Sequence, residues 1–200
     1  MLGCEHVYAR SMTILPWGLV LFRLLLAPIL LLCAHGNVPG PVLSAMVFAA
    51  LLSDIYDGVL ARRWNCDTPA IRLADSMVDT VFYLAVLVAL WIRVPAALHT
   101  WWPLLTALLV LEAVRFAFDW WKYGKAASYH SYLAKAWGLV MAVSVMVVLA
   151  TGNYGVLLAL SMIMGILCDL EGLTMSTILP VWRNDVKTIG RALAIRRELK

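Results

Sequence analysis

Charge is what this sequence has least of. Of its 200 residues, 14% are Asp, Glu, Lys or Arg and 63% are hydrophobic, with a mean hydropathy of +0.85. Residues 24–53 and 136–168 contain no Asp, Glu, Lys or Arg at all. A soluble domain of this size cannot hide so much apolar surface, so the expected solvent is largely lipid. Cysteine is also sparse. Cys4, Cys33, Cys66 and Cys168 show no C-x-x-C spacing, which argues against zinc ligation or a disulfide framework and for apolar fillers or free thiols. No small-residue cleavage site follows the apolar run after Pro16, so no cleavable signal peptide is expected. Internal repeats and low-complexity linkers are missing. No basic, aromatic segment stands clear of the apolar runs, so the formal charge of +4 suits an anionic membrane surface better than nucleic acid.

What is present is a set of long apolar runs, at about 15–35, 42–62, 70–92, 101–121, 131–151 and 154–178. Turn-forming residues punctuate them at 35–41, 64–69, 93–100, 122–130 and 151–155. The reading is an all-α polytopic membrane protein with six transmembrane helices. A single transmembrane domain is expected over 1–180, followed by a basic tail over 181–200. Arg62, Arg63 and Arg72 cluster around the second turn, Lys122 and Lys125 follow the fourth span, and six cations occupy the tail, whereas the opposite loops hold only Arg93. By the positive-inside rule both termini face the cytoplasm. Within the tail, Trp182, Val186, Ile189 and Leu193 recur at helical spacing. It reads either as an interfacial amphipathic helix or as a solvated basic tail. Trp101, Trp102, Trp120 and Trp121 sit at span ends and read as an interfacial belt.

The charges inside the spans fall on one level. At about 1.5 Å per residue, Asp54 and Asp57 on the second span lie at the depth of Asp75 and Asp79 on the third. Glu112, Arg115 and Asp119 of the fourth span, Lys135 of the fifth and Arg23 of the first join them. Asp169 and Glu171 lie near the inner end of the sixth. A polar cavity open to the cytoplasm and roofed by apolar helix ends is expected. Intramembrane ionisable groups cost roughly 2.5–3.5 kcal/mol each on insertion scales, so they usually serve a function. Glu112 and Arg115, three apart on one face, can form a structural pair. The aspartates have too few nearby cations to pair them all, and two carboxylates about 4 Å apart repel by roughly 4 kcal/mol at an effective dielectric of 20. Divalent cations with oxygen ligands answer that need, and magnesium or manganese suits a site beside phosphate.

The spacing sharpens this reading. Asp54, Asp57, Gly58 and Ala61 fall at i, i+3, i+4 and i+7, one stripe of a helix. Gly58 and Ala61 leave a groove beside the two carboxylates, and Arg62 can reach a phosphate anchored there. Asp75 and Asp79 share a face at i and i+4. Four carboxylates converging from two helices are enough to bridge two metal ions and clamp a pyrophosphate.

At these residues the sequence resembles the CDP-alcohol phosphotransferase family, whose pattern is D-x2-D-G-x2-A-R-x8-G-x3-D-x3-D. Asp54, Asp57, Gly58, Ala61 and Arg62 match, and Asp75 and Asp79 follow at the right interval. The step Arg23-x4-Pro28 is similar to the family's first span, as are the six spans and the chain length. The one departure is Ile71, which stands at the second glycine of the pattern and would crowd the groove beside the third span. The resemblance implies an integral membrane enzyme of phospholipid synthesis, a homodimer facing the cytoplasm of the cell membrane. It implies transfer of a phosphatidyl or related group from a CDP-linked lipid donor to an acceptor hydroxyl, with release of CMP. In that scheme Asp54, Asp57, Asp75 and Asp79 ligate two Mg2+ (or Mn2+) ions. Asp79, with Asp75 beside it, is the general base, and Gly58, Ala61, Arg62 and Asp54 bind the nucleotide pyrophosphate.

The acceptor is harder to read. Relatives that act on glycerol 3-phosphate tend to read DP-x2-DK at the last two aspartates. The letters Asp75-Ser76-Met77-Val78-Asp79-Thr80 look more like inositol-, serine- or choline-directed branches. Arg115 and Lys135, with no partner that uses up their charge, suggest a phosphate-bearing acceptor. Asp169, Glu171 and His130 are candidates for acceptor hydroxyls or an amine, set against plain interfacial or loop roles. A UbiA-like prenyltransferase would need a longer chain and lacks the Gly58, Ala61 and Arg62 stripe. A transporter would need polar groups in both membrane halves, and a non-catalytic relative would keep the motif without the activity.

Overall fold

The computed structural model describes the backbone of residues 2–63, 69–127 and 129–199; the described side chains begin at Leu15 and leave out Pro16, Ala61, Arg62, Pro69, Ala70, Arg72 and Leu73. The described chain is helical, without strands: α1 (Leu2–His35), α2 (Gly40–Arg63), α3 (Pro69–Arg93), α4 (Pro95–Thr100), α5 (Trp102–Tyr123), α6 (Tyr132–Thr151), α7 (Val156–Ile178) and α8 (Ile189–Glu198). The apolar runs of the sequence became helices close to their expected limits, except that α1 begins at Leu2, thirteen residues before the expected run at 15. Proline shaped the ends: Pro95 opens the short α4, where its fixed φ suits a first helical turn, and Pro180 follows the extended Leu179 that ends α7.

Among the described residues, five segments are long and apolar enough to cross a bilayer: Trp17–His35, Gly40–Leu60, Ala74–Arg93, Tyr132–Thr151 and Val156–Ile178. Their outward faces are greasy. Leu25, Leu32, Tyr83, Leu84 and Leu160 are each more than half exposed, a surface that only lipid or another apolar partner can cover. This is an integral membrane protein. α5, expected as a further span, has 22 residues but carries Glu112, Arg115, Asp119 and Lys122, too many charges for an apolar span by composition. Cys33 and Cys168 are free thiols, as expected; Cys4 and Cys66 have no described side chain.

Two compact units are distinguished, residues 1–97 with 145–153 and residues 98–144 with 154–200. In the first, α1 packs on both α2 and α3. Arg93 at the end of α3 donates to Asn37 just past the end of α1 at 3.1 Å, so α1 and α3 run parallel. In the second, α5 packs on α7. Trp101 Nε1 donates to Tyr154 O at 2.7 Å beside the two helix starts, so that indole is engaged within the protein. At the helix ends Lys122 Nζ donates to Ser176 O at 2.6 Å, closing an orphan carbonyl of α7.

The tail is packed. Val186 and Ala192 are buried with Ala127, Tyr129, Met175 and Leu179, and Trp182 lies against that cluster. Trp182 Nε1 donates to Ala126 O at 3.1 Å while Lys125 Nζ sits 3.6 Å from its ring centroid, a cation–π contact. Only 189–198 is helical, and Trp182 and Val186 precede it. Thr188 caps that helix by accepting from Arg191 N at 3.2 Å.

Candidate active site

The first unit brings the four motif aspartates onto a single side chain. α1 lies against α2 and α3 at once, and Arg23, 1% exposed, reaches between them. Its Nη1 donates to Asp54 Oδ1 at 2.9 Å and also to Asp79 Oδ1. Its Nη2 donates to Asp75 Oδ1 at 2.9 Å and also to Asp57 Oδ2. Each terminal nitrogen therefore bridges one aspartate of α2 and one of α3. Nε donates to Ser53 Oγ at 3.3 Å, and the Ser53 hydroxyl donates to Leu19 O at 3.3 Å. Ser53 fixes the guanidinium in rotation. Its one mark in the sequence is a hydroxyl next to Asp54 in an otherwise apolar stretch.

This corrects the expectation that nearby cations could not pair all four aspartates. A planar guanidinium has donors enough for several carboxylates, and its helix packs against both aspartate-bearing helices. The charge is still unbalanced, since four carboxylates face one arginine. Asp54, Asp57 and Asp75 each offer an oxygen within 4.8 Å of the others, which suits a divalent ion. The donor set is carboxylate oxygen throughout, the chemistry that magnesium and manganese prefer. Asp57 is buried; Asp54, Asp75 and Asp79 are half-buried. Gly58 follows Asp57 on α2, half-buried, while Ala61 and Arg62 fall in the last turn of α2 with side chains outside the described residues. Ile71 is buried, one turn before Asp75.

A family model described as CDP-alcohol phosphatidyltransferase matches residues 13–170, which include Arg23 and all four aspartates. The chain belongs to the CDP-alcohol phosphatidyltransferase family. Among its relatives is the CDP-diacylglycerol–glycerol-3-phosphate 3-phosphatidyltransferase of Salmonella choleraesuis, 33% identical over 143 residues that cover 68% of this chain and 74% of the relative. Proteins of the same name from Escherichia coli strain K12 and Shigella flexneri serotype 5b match to the same extent. No solved structure matches the chain significantly. As a member of this family the protein is an enzyme, a phosphotransferase of phospholipid synthesis that uses a CDP-linked donor.

The second unit holds the other charges singled out in the sequence. Arg115 pairs with Asp169, Nε to Oδ1 at 2.9 Å. The expectation of an intrahelical Glu112–Arg115 pair, and of an Arg115 with charge to spare, is corrected: α7 packs on α5 and supplies the closer carboxylate. Lys135 is exposed and makes no ion pair among the described residues. Glu171 Oε2 accepts from Ser131 Oγ at 2.6 Å. A cavity of about 220 Å3 is lined by Glu112, Arg115, His130, Ser131, Trp137 and Asp169 among others. Trp137 Nε1 is buried without a hydrogen-bond partner.

Below that cavity lies a buried network. Asp119, 1% exposed, accepts from Ser176 Oγ at 2.5 Å and from Ala127 N at 3.2 Å. The single Ser176 proton goes to Asp119, so the 2.8 Å contact of Tyr129 OH with Ser176 Oγ must have tyrosine as donor. Burial pushes the Tyr129 phenol above its ordinary value, which keeps that donor protonated.

Proposed function

We propose that this enzyme moves the phosphatidyl group of CDP-diacylglycerol to glycerol 3-phosphate, releasing CMP. The observation that carries the reading is the convergence of Asp54, Asp57, Asp75 and Asp79 in a chain of this family. Glycerol 3-phosphate follows the relatives' names and goes against the letters at the motif's end. There Thr80 Oγ1 donates to Ser76 O at 2.9 Å, so the threonine hydroxyl is engaged within its own helix.

In this reading the oxygen of the acceptor hydroxyl bonds to the phosphatidyl phosphorus. The bond from that phosphorus to the bridging oxygen of the pyrophosphate breaks, and CMP leaves with that oxygen. Asp79, with Asp75 beside it, takes the acceptor proton on its carboxylate. Asp54, Asp57, Asp75 and Asp79 would hold two magnesium or manganese ions, which when bound supply Lewis-acid neutralisation of the pyrophosphate charge. Gly58 and Ala61 keep the α2 groove open for the nucleotide, and Arg62 donates to its phosphates. Arg115, whose Nε is held by Asp169, and Lys135 are assigned to the acceptor phosphate.

The same reading makes α5 the fourth of six spans in one transmembrane domain over 1–180. Its charged face then lines a cavity open to the cytoplasm, with both termini and the 181–200 tail on that side. It also makes the enzyme a homodimer of the cell membrane. The test is CMP release from CDP-diacylglycerol with magnesium across glycerol 3-phosphate, inositol phosphate, inositol, serine and choline. Glycerol 3-phosphate should dominate; release driven only by inositol, serine or choline would reassign the acceptor.

A further inference from the structure

The carboxylates that suit a divalent ion are the ones a guanidinium already holds. Arg23 touches all four aspartates, and each terminal nitrogen spans α2 and α3. At 1% exposure its charge has no water to fall back on, and its Nε is tied to Ser53. A monovalent cation fixed there and divalent ions on the same carboxylates repel each other. Without any cation, four carboxylates from two helices would push those helices apart.

We propose that Arg23 is a tethered counter-ion. It holds the aspartate quartet together before divalent ions bind and gives up carboxylate oxygens as they arrive, so that metal binding is an exchange of cations. This rests on the metal-binding reading of the aspartates. Arg23 is on this account a positioning residue: it preserves the spacing of the ligands and sets a threshold concentration for the ion. The affinity of the site is weakened by the arginine it contains, in return for a site that stays assembled when empty.

The test uses purified full-length protein, with Mn2+ alone as probe, followed by calorimetric titration, together with thermal unfolding in EDTA and in saturating Mg2+. Arg23→Gln removes the competing charge and should tighten Mn2+ binding by about tenfold, the factor that about 1.4 kcal/mol represents. The same variant should unfold at lower temperature than wild type in EDTA and recover most of the difference in Mg2+. Arg23→Lys keeps the charge but, as a single ammonium, cannot bridge four carboxylates. It should bind Mn2+ nearly as weakly as wild type yet still lose stability in EDTA, which keeps the test open if Arg23→Gln does not fold. Unchanged or weaker Mn2+ binding in Arg23→Gln, or equal EDTA stability in all three proteins, overturns the exchange. If wild type binds no Mn2+ at all, the metal-binding reading fails and the exchange fails with it, a result recognisable because it appears before any substitution is made.

Discussion

Gly172 of α7 faces the side chain of Arg115 on α5 so closely that a Cβ there would lie 2.9 Å from Arg115 Cδ. The arginine that pairs with Asp169 at 2.9 Å is therefore held in place partly by the absence of a side chain opposite. Gly172→Ala should push Arg115 aside without touching the aspartate quartet of the other unit. If Arg115 serves the acceptor, the acceptor KM should rise about threefold to tenfold, roughly 0.6–1.4 kcal/mol, with the donor KM unchanged. Steady-state kinetics with donor and acceptor varied separately decide it; a rise confined to the donor contradicts the assignment.

Lys135 gives a second handle on the same question. It makes no ion pair among the described residues, so Lys135→Ala removes a charge without orphaning a carboxylate. Acceptor binding should weaken by about 1.5–3 kcal/mol, the range for a hydrogen bond to a charged group, while thermal stability stays within about 0.5 kcal/mol. A variant that keeps its acceptor KM shows that the phosphate is bound elsewhere.

The buried network at Asp119 should matter for stability. Ser176→Ala leaves Asp119 Oδ1 without its partner in a fully buried place and takes one partner from the Tyr129 hydroxyl. The expected cost is about 1–3 kcal/mol, read as a lower unfolding temperature in detergent. Tyr129→Phe removes only the outer donor and should cost less. Equal losses in the two variants would mean that Asp119 is not the buried group that depends on Ser176.

The packed tail predicts a local effect. Trp182→Ala deletes the hydrogen bond to Ala126 O, the Lys125 contact and part of the cluster around Val186. The loss should reach about 3 kcal/mol, the low end for a core tryptophan because Trp182 is only half-buried. Amide exchange over 189–198 should accelerate more than over α7. Uniform acceleration would show that α8 does not open on its own.

The sequence shows five of the expected spans because hydropathy marks them, and it shows the aspartate stripe because Asp54, Asp57, Asp75 and Asp79 obey helical periodicity. What it hides is which partner a long side chain chooses. Arg115 has Glu112 one turn away on its own helix, yet it pairs with Asp169, 54 positions later, because α7 lies against α5. Arg23 is visible as a charge at the right depth and as the head of the Arg23-x4-Pro28 step. That it spans four carboxylates depends on α1 packing against α2 and α3 together, a tertiary fact with no local pattern. The spacing in the tail marks only part of its helix for the same reason. Trp182 and Val186 keep helical spacing with Ile189, but Trp182 and Val186 lie in a non-helical stretch that folds back on Tyr129 and Met175.

The central claim is that the four aspartates form one metal-holding centre for CMP-releasing transfer. The most direct measurement is CMP release from CDP-diacylglycerol with glycerol 3-phosphate and Mg2+, compared with calorimetric Mn2+ binding, for wild type, Asp57→Asn and Asp75→Asn. The account predicts that both variants lose more than about 100-fold in kcat/KM, beyond the usual cost of disturbing only a ligand's outer partners, and that both bind Mn2+ more weakly. Full activity in either variant, or wild-type release that is indifferent to EDTA, would contradict it.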